Sequence, residues 1–458
     1  MALITSLFSS SNLRHCSIPL KGESDESHAA FATPADVFQI RVQAKRIPLS
    51  NGSGLSFNNA LPTSLIEPGV LTNEYRLLLA CARKDLTAED CDEARSAIAG
   101  GIDWDLLFCH AHRHALSPLL YRNLRTHFPL AIPAPQQIRE KSFEHGIGNL
   151  FLSGALLNIL DAMRANNIRA LAYKGPVLAA CLYGDSTLRE MSDLDILIDP
   201  ASLPAARSVL INLGYKASFT TTRKQEEARR RSDCEWEFCS RDGKVLVDLH
   251  WRLTAPHLAA RFNFEDFWGR RRDIAIGQNA IPTFSAEDTA LVLAVHGGKH
   301  LWPRLSWLAD FAESLRSNLD WQLLTVRARE ARAQRLLLLA FTMADRILKI
   351  QTPQEFSTAM QTDPVVQNVA DDIARRFFED RSQNEADQSR VRWATLIQLA
   401  DNRRDGFRCA VRYAFSSGPR EWQAVRVPDS LFGFYRVVRI AGLLRSAPAF
   451  LFNSHRES

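Results

Sequence analysis

The sequence is poor in several features that would each mark a class of protein. Only 8 of its 458 residues are cysteine, at positions 16, 81, 91, 109, 181, 234, 239 and 409, and no two are spaced Cys-x-x-Cys. A chain this long does not need disulfides to hold its core, so the thiols are expected to be reduced and mostly buried. No uninterrupted apolar run comes near the roughly 18 residues of a membrane span. The longest, such as Leu336–Phe341, would make a turn or two of helix, and a membrane-embedded protein is not expected. Charge of one sign is also scarce: 56 Lys and Arg against 51 Asp and Glu leave +5, too little over this length to imply nucleic acid by itself. The opening Met1-Ala-Leu-Ile-Thr-Ser-Leu-Phe lacks the basic start and sustained apolar segment of a secretory signal. Glu23, Asp25 and Glu26 end the Ser-rich, acid-poor stretch that resembles a transit peptide. A cytoplasmic location is therefore expected.

What remains is 46% hydrophobic and 23% charged residues, the balance of a globular chain long enough for roughly two to four domains. Residues 1–70 carry Ser, Asn, Gly and Pro clusters and, apart from a possible short strand at Phe38–Val42, no period; they read as a disordered or loosely attached extension. Helical periodicity starts near Asn73 and continues through Asp103–His114, Pro118–Thr126, Gln136–His145 and Leu150–Asn166, making 71–166 a helical subdomain. The pattern then changes. Strand-like segments at Ile168–Tyr173, Leu194–Ile198, Tyr215–Thr222, Cys234–Ser240 and Val245–His250 alternate with helices at Pro176–Tyr183 and Leu203–Leu213. The segment 167–285 is thus an α/β core, and 286–458 returns to helices, among them Trp321–Ile350 read as one. The expected fold is α+β, a small mixed sheet flanked by N- and C-terminal helical subdomains.

The chemistry is concentrated in Lys174-Gly175-Pro176, then Tyr183-Gly184-Asp185, Arg189 and Ser192-Asp193-Leu194-Asp195. Alternate side chains of a strand share a face, so Asp193 and Asp195 project together. Two adjacent carboxylates repel unless a cation lies between them, and a hard divalent ion with oxygen ligands, Mg²⁺ or Mn²⁺, suits them. Val247-Asp248-Leu249-His250 adds a third acid and a histidine on one face of another strand. A glycine opening a helix after a strand lets backbone amides face a phosphate, and Pro176 suits the first helical position. Lys174 and Arg189 can meet phosphate oxygens as a point charge and a planar fork.

This ordered set resembles the nucleotidyltransferase superfamily that includes DNA polymerase β, with its glycine motif, short helix, Asp-x-Asp and later acid. It is similar to lincosamide and aminoglycoside nucleotidyltransferases. It is closer to a group of uncharacterised bacterial nucleotidyltransferases that carry Lys-Gly-Pro, Tyr-Gly-Asp, Asp-Leu-Asp-Ile-Leu and Val-Asp-Leu-His-Trp. The likeness extends to Asp103-Trp104 and Pro118–Tyr121 before the core, and to His296–Trp302 and Trp307–Asp310 after it. The resemblance implies metal-dependent transfer of a nucleoside monophosphate from an NTP, expected to be ATP, to an unidentified hydroxyl, with release of pyrophosphate. It implies Asp193, Asp195 and Asp248 as the metal-binding and catalytic acids. Gly175 would face phosphate, with Lys174, Arg189, Ser192 and His250 completing the nucleotide site. Pro176 departs from the signature by standing where a second Gly or Ser is usual, which removes one amide donor and a hydroxyl. The alternative reading, from another class, is a non-catalytic or antitoxin-like nucleotide-binding module on the same fold.

Weaker signals carry blander readings. His110 with His114, and His296 with His300, share helix faces but lack matching Cys or carboxylate ligands, so hydrogen-bonded helix histidines are favoured over zinc. Lys299 and His300 are candidates to line the cleft. Arg229–Arg231 and Arg270–Arg272 could track RNA or a phosphorylated acceptor; without aromatic interleaving a solvated surface is favoured, and nucleic acid is not the expected partner.

Overall fold

The computed structural model describes residues 71–131, 135–219, 221–378 and 385–446. The extension at 1–70 and the strand expected at Phe38–Val42 lie outside the described residues. Five helices come first: α1 (Asn73–Ala80), α2 (Ala88–Ala99), α3 (Trp104–Arg113), α4 (Ser117–His127) and α5 (Pro135–Ala165). Their starts follow local chemistry. Thr87 and Asp90 form a reciprocal capping box on α2, and the Asp103 carboxylate accepts from Leu106 N–H on α3, each satisfying amides that a helix end leaves open.

The 31-residue α5 replaces the two helices read at Gln136–His145 and Leu150–Asn166. Gly146 and Gly148 punctuate the sequence without ending the helix, because tertiary packing outweighs their propensity cost of about 1 kcal/mol each. The continuous helix also changes a second expectation. Phe143–Ala165 is, by length and composition, apolar enough to cross a membrane. Here Leu156, Ile159, Leu160 and Met163 bury against the sheet, while Phe143, Ile147 and Leu150 are exposed.

The core follows as β1 (Ala170–Ala172), α6 (Gly175–Tyr183), β2 (Leu194–Ile198), α7 (Leu203–Asn212), β3 (Lys216–Ala217), α8 (Arg223–Ser232), β4 (Glu235–Cys239) and β5 (Leu246–His250). The strand expected over Tyr215–Thr222 shortens to β3, and the chain enters α8 behind a Thr222–Gln225 capping box. The sheet has order β1-β2-β5-β4-β3, with β2 and β5 parallel and every other pair antiparallel. One face presents Leu194, Ile196, Ile198, Trp236, Phe238, Val247 and Leu249 to α5 and α7. The other face carries Leu171, Tyr173 and Leu197 under α9 (Phe264–Gly269) and Phe284. A β6–β7 hairpin (Arg272–Ile276, Asn279–Thr283) forms a separate two-stranded sheet, and its Ile281 joins the core under the main sheet.

Helices return with α10 (Ala286–His300), α11 (Leu305–Ser314), α12 (Trp321–Glu330), α13 (Gln334–Leu348), α14 (Gln354–Thr362), α15 (Pro364–Phe378), α16 (Glu385–Gln398), α17 (Arg403–Phe415), α18 (Pro419–Ala424) and α19 (Tyr435–Ser446). The helix read over Trp321–Ile350 breaks at Arg332, whose φ of 55° is incompatible with continuing it. The two helical regions share one apolar core: Leu77, Leu78 and Leu107 belong to the same buried cluster as Leu308, Leu339 and Phe341. The α/β core is thus held between helices that pack on each other.

The turn after α10 is tight. Leu301 and Trp302 both have positive φ, and Trp302 folds back so that a Cβ on Gly297 would overlap its buried ring. Gly297→Ala should therefore cost about 1–3 kcal/mol, the scale of overpacking a filled core. A urea titration checks this: the midpoint should fall with an unchanged slope, and an unchanged midpoint would show that Trp302 moves freely.

Candidate active site

Asp195 and Asp248 face each other across the only parallel pair in the main sheet, in direct register, and Glu237 of β4 lies opposite Asp248 on its other side. Because strand side chains alternate, this row of three acids shares one face. The next row places Glu235 opposite His250. The side chains converge: Asp195, Asp248 and His250 bring ligand atoms within 4.8 Å of one another, as do Glu235, Glu237 and Asp248. Asp195, Asp248 and His250 are all buried.

The residues after β1 supply the cation. Lys174 Nζ donates to Asp195 Oδ1 at 2.9 Å. His250 Nε2 lies 3.3 Å from the same oxygen, and the Tyr173 hydroxyl 3.4 Å. Burial alone would raise the Asp195 carboxyl, but the Lys174 ammonium and His250 hold it well below the usual carboxylate range. Lys174 is the mirror case: burial would depress it, and Asp195 and Asp193 keep it above the ordinary lysine value. Glu235 is likewise lowered against the effect of burial, by His250, Lys299 and Lys174.

Gly175 opens α6 with φ at 55°, and a Cβ there would lie 3.2 Å from the Asp193 carbonyl. Only glycine combines that conformation with so close an approach. Asp193 lies just before β2, half-buried. Its charge reaches Lys174 and Arg189, yet it is in neither acid group. Ser192 is also half-buried in the extended segment before β2. Arg189 has a structural partner: its Nε donates to Asp310 Oδ2 of α11 at 2.9 Å, and the Tyr183 hydroxyl donates to Asp310 Oδ1 at 2.9 Å. The guanidinium considered for phosphate thus ties the α/β core to the helices.

The last turns of α10 close the site. Burial, with the Lys174 and Lys299 charges, holds His296 well below its ordinary value, so it is a neutral imidazole beside two ammonium groups. Lys299 has no ion-pair partner among the described residues. Its charge reaches Glu235 and Cys234, in keeping with a side chain that faces the acids. His114, by contrast, is a core histidine: its Nδ1 accepts from Leu305 N–H, and burial drops its pKa to about 3.

Sequence reading did not single out Glu235 and Glu237. Their signal was the Glu-Trp-Glu-Phe alternation, which places two carboxylates on one strand face. Only the pairing of β4 with β5 puts that face beside Asp248.

The model of a family described as uncharacterised nucleotidyltransferases matches residues 100–349, more than half of the chain. The protein belongs to this family. A search of curated proteins finds none that matches. The family match spans α3 through α13 and so contains every acid of the site, together with Lys174, His296 and Lys299. It fits a nucleotidyltransferase built on a mixed sheet between helices.

The Lys174–Asp195 ion pair leads to a prediction. Lys174→Met would remove the ammonium from Asp195 and leave this buried carboxylate only its His250 and Tyr173 contacts, a loss of about 3–5 kcal/mol at neutral pH. In the wild type the depressed Asp195 contributes stability that is complete above the unfolded carboxyl value near 4 and is lost as pH falls below it. In the variant, protonation relieves the buried charge, so the deficit should narrow as pH drops from 7 toward 4. Urea midpoints in EDTA at several pH values test this, and a pH-independent deficit would mean that the lost packing of the lysine stem dominates.

Proposed function

We propose that the protein transfers a nucleoside monophosphate from an NTP, ATP by preference, to a hydroxyl acceptor and releases pyrophosphate. The observation that carries this reading is the register Asp195 opposite Asp248 on parallel strands, closed by His250. The donor set fits a hard divalent cation: carboxylate oxygens of Asp195, Asp248, Glu235 and Glu237 dominate it, with one imidazole nitrogen. A bound Mg²⁺ or Mn²⁺ would neutralise triphosphate charge and lower the pKa of the acceptor hydroxyl.

In the step itself, the acceptor oxygen forms a bond to the α-phosphorus while the bond from that phosphorus to the bridging oxygen of pyrophosphate breaks. Asp248, partly shielded from water, is the acid suited to orient the hydroxyl and take its proton. Lys174 and Lys299 offer ammonium charge to the phosphates, and His250 holds Asp195 in place through Nε2. The amides at the start of α6 face the same region, with Gly175 permitting the turn.

A second reading has its own support. Lys174 already neutralises Asp195 at 2.9 Å, and Pro176 removes an amide donor from the phosphate turn. Both suit a module that binds nucleotide without turning it over.

The experiment that separates them is pyrophosphate release from ATP with Mg²⁺ and a pool of hydroxyl acceptors. Asp195→Asn and Asp248→Asn should each reduce turnover by about 10²–10³, equivalent to about 2.7–4 kcal/mol of barrier. Equal turnover in variant and wild type would overturn the catalytic reading. Wild-type binding of ATP without turnover would favour the binding module.

A further inference from the structure

A cavity of about 790 Å³ lies between the end of the α/β core and the C-terminal helices α17 and α19, a volume suited to one small ligand. Five arginines line it and no carboxylate does: Arg231, Arg252, Arg261, Arg412 and Arg436. They come from four segments of the chain, Arg252 and Arg261 sharing the one between β5 and α9, so the fold gathers them; a single basic run does not. Two are fixed by backbone carbonyls, Arg252 by those of Arg230 at 2.7 Å and Asp233 at 3.4 Å, and Arg412 by that of Pro256 at 3.0 Å. Among the described residues, no acid lies within ion-pair distance of Arg231, Arg261 or Arg436. Burial lowers the pKa of Arg261, with smaller contributions from the charges of Arg412 and Arg332 and an opposing one from Asp405. Phe262, Phe415 and Phe432 add apolar faces to the same wall.

Guanidinium forks are matched to phosphate oxygens, and a ring or sugar can lie on a phenylalanine face. The other arginine triplet does not extend the cavity into a track. Arg270 pairs with Asp288 at 3.0 Å, Arg271 lies over the Trp268 ring, and Arg272 donates to the Phe284 carbonyl at 3.1 Å. A nucleic-acid strand needs a continuous basic groove, so a small molecule fits better. None of the acids lines the cavity, but the chain connects the two. Arg252 is two residues beyond His250, which limits their Cα separation to about 7.6 Å, and its backbone N–H donates to the Cys234 carbonyl, one residue before Glu235.

We propose that this cavity is the acceptor pocket, and that the acceptor is a small phosphorylated molecule whose phosphate the arginines hold while its hydroxyl reaches the acid cluster. The assignment of the occupant as acceptor rests on the nucleotidyl-transfer reading; the anion site itself does not.

Binding can therefore be tested without chemistry. Calorimetric titration of the full chain in EDTA, with AMP (phosphate and ring) and with ribose 5-phosphate (phosphate and sugar alone), measures occupancy directly. Wild type should bind, more weakly as salt rises. The double variant Arg261→Gln/Arg436→Gln should bind at least about tenfold more weakly, the scale of losing a charge-assisted contact. Arg271→Gln, at a guanidinium outside the cavity, should bind as wild type does, whether or not the protein proves to be a catalyst. If the double variant fails to fold, Arg231→Gln alone should show the same direction. Equal affinity in wild type and cavity-arginine variants would overturn the proposal, as would an equal loss of binding in Arg271→Gln. No saturation by either compound at millimolar concentration would also overturn it, and arginine-dependent binding of an RNA oligonucleotide in that case would identify a strand as the occupant.

Discussion

A carboxylate buried on a sheet needs a cation, and the arrangement of this site follows from how Asp195 obtains one. Lys174 reaches it from the end of the neighbouring antiparallel strand, so the pair spans the β1–β2 edge of the sheet. That contact requires the chain after β1 to turn sharply at once. Gly175 makes the turn with a positive φ and passes close to the Asp193 carbonyl. The helix α6 starts at that turn. One electrostatic requirement thus accounts for the lysine, the glycine and the helix that follows, and a substitution at any of the three would disturb the other two.

The second constraint is that the acids must not be free to separate. Parallel pairing of β2 with β5 fixes Asp195 against Asp248, and antiparallel pairing of β5 with β4 fixes Glu237 and Glu235 beside them. On the opposite face Trp236, Phe238, Val247 and Leu249 are almost wholly buried under α5 and α7. A one-residue slip of any strand would exchange the charged and apolar faces, so the hydrophobic core sets the register on which the site depends. Asp310 secures the helical side. By accepting from both Arg189 and Tyr183 it fastens α11 to the loop that leads into β2. Arg189 therefore holds the site together from behind.

Much of this was legible in the sequence, for identifiable reasons. The boundaries of β2 and β5, the α6 helix and the trio Lys174, Asp195 and Asp248 were readable because local periodicity and a compact motif specify them. Pairing between distant strands was not. Glu235 and Glu237 become site residues only through β4–β5 contact, and nothing in Glu-Trp-Glu says which strand will lie beside it. Asp193 stands one residue before β2, and its charge reaches Lys174 from outside the groups of converging acids. Gly146 and Gly148 suggested a break in α5 because local propensity was weighed without the sheet surface that the helix covers. Arg189 was assigned by its motif position, whereas its buried partner lies 121 residues away.

The near balance of charge in the whole chain conceals a strong local separation. Four carboxylates meet around Asp248 and Asp195 with Lys174 between them, while five arginines line a cavity that begins two residues past His250. Opposite potentials placed this close would draw different ligands to different sides: cation-bearing triphosphate to the acids, a bare anion to the arginines. Such a division favours a reaction between two negatively charged substrates, whose mutual repulsion would otherwise oppose their meeting. On the proposed reading the arginines would neutralise one substrate and a cation held by the acids the other, so that preorganised charge offsets their repulsion before they meet. The net charge of +5 sums all 56 basic and 51 acidic residues of the chain, and such a sum is blind to where the charges gather, which is why composition alone points to neither field.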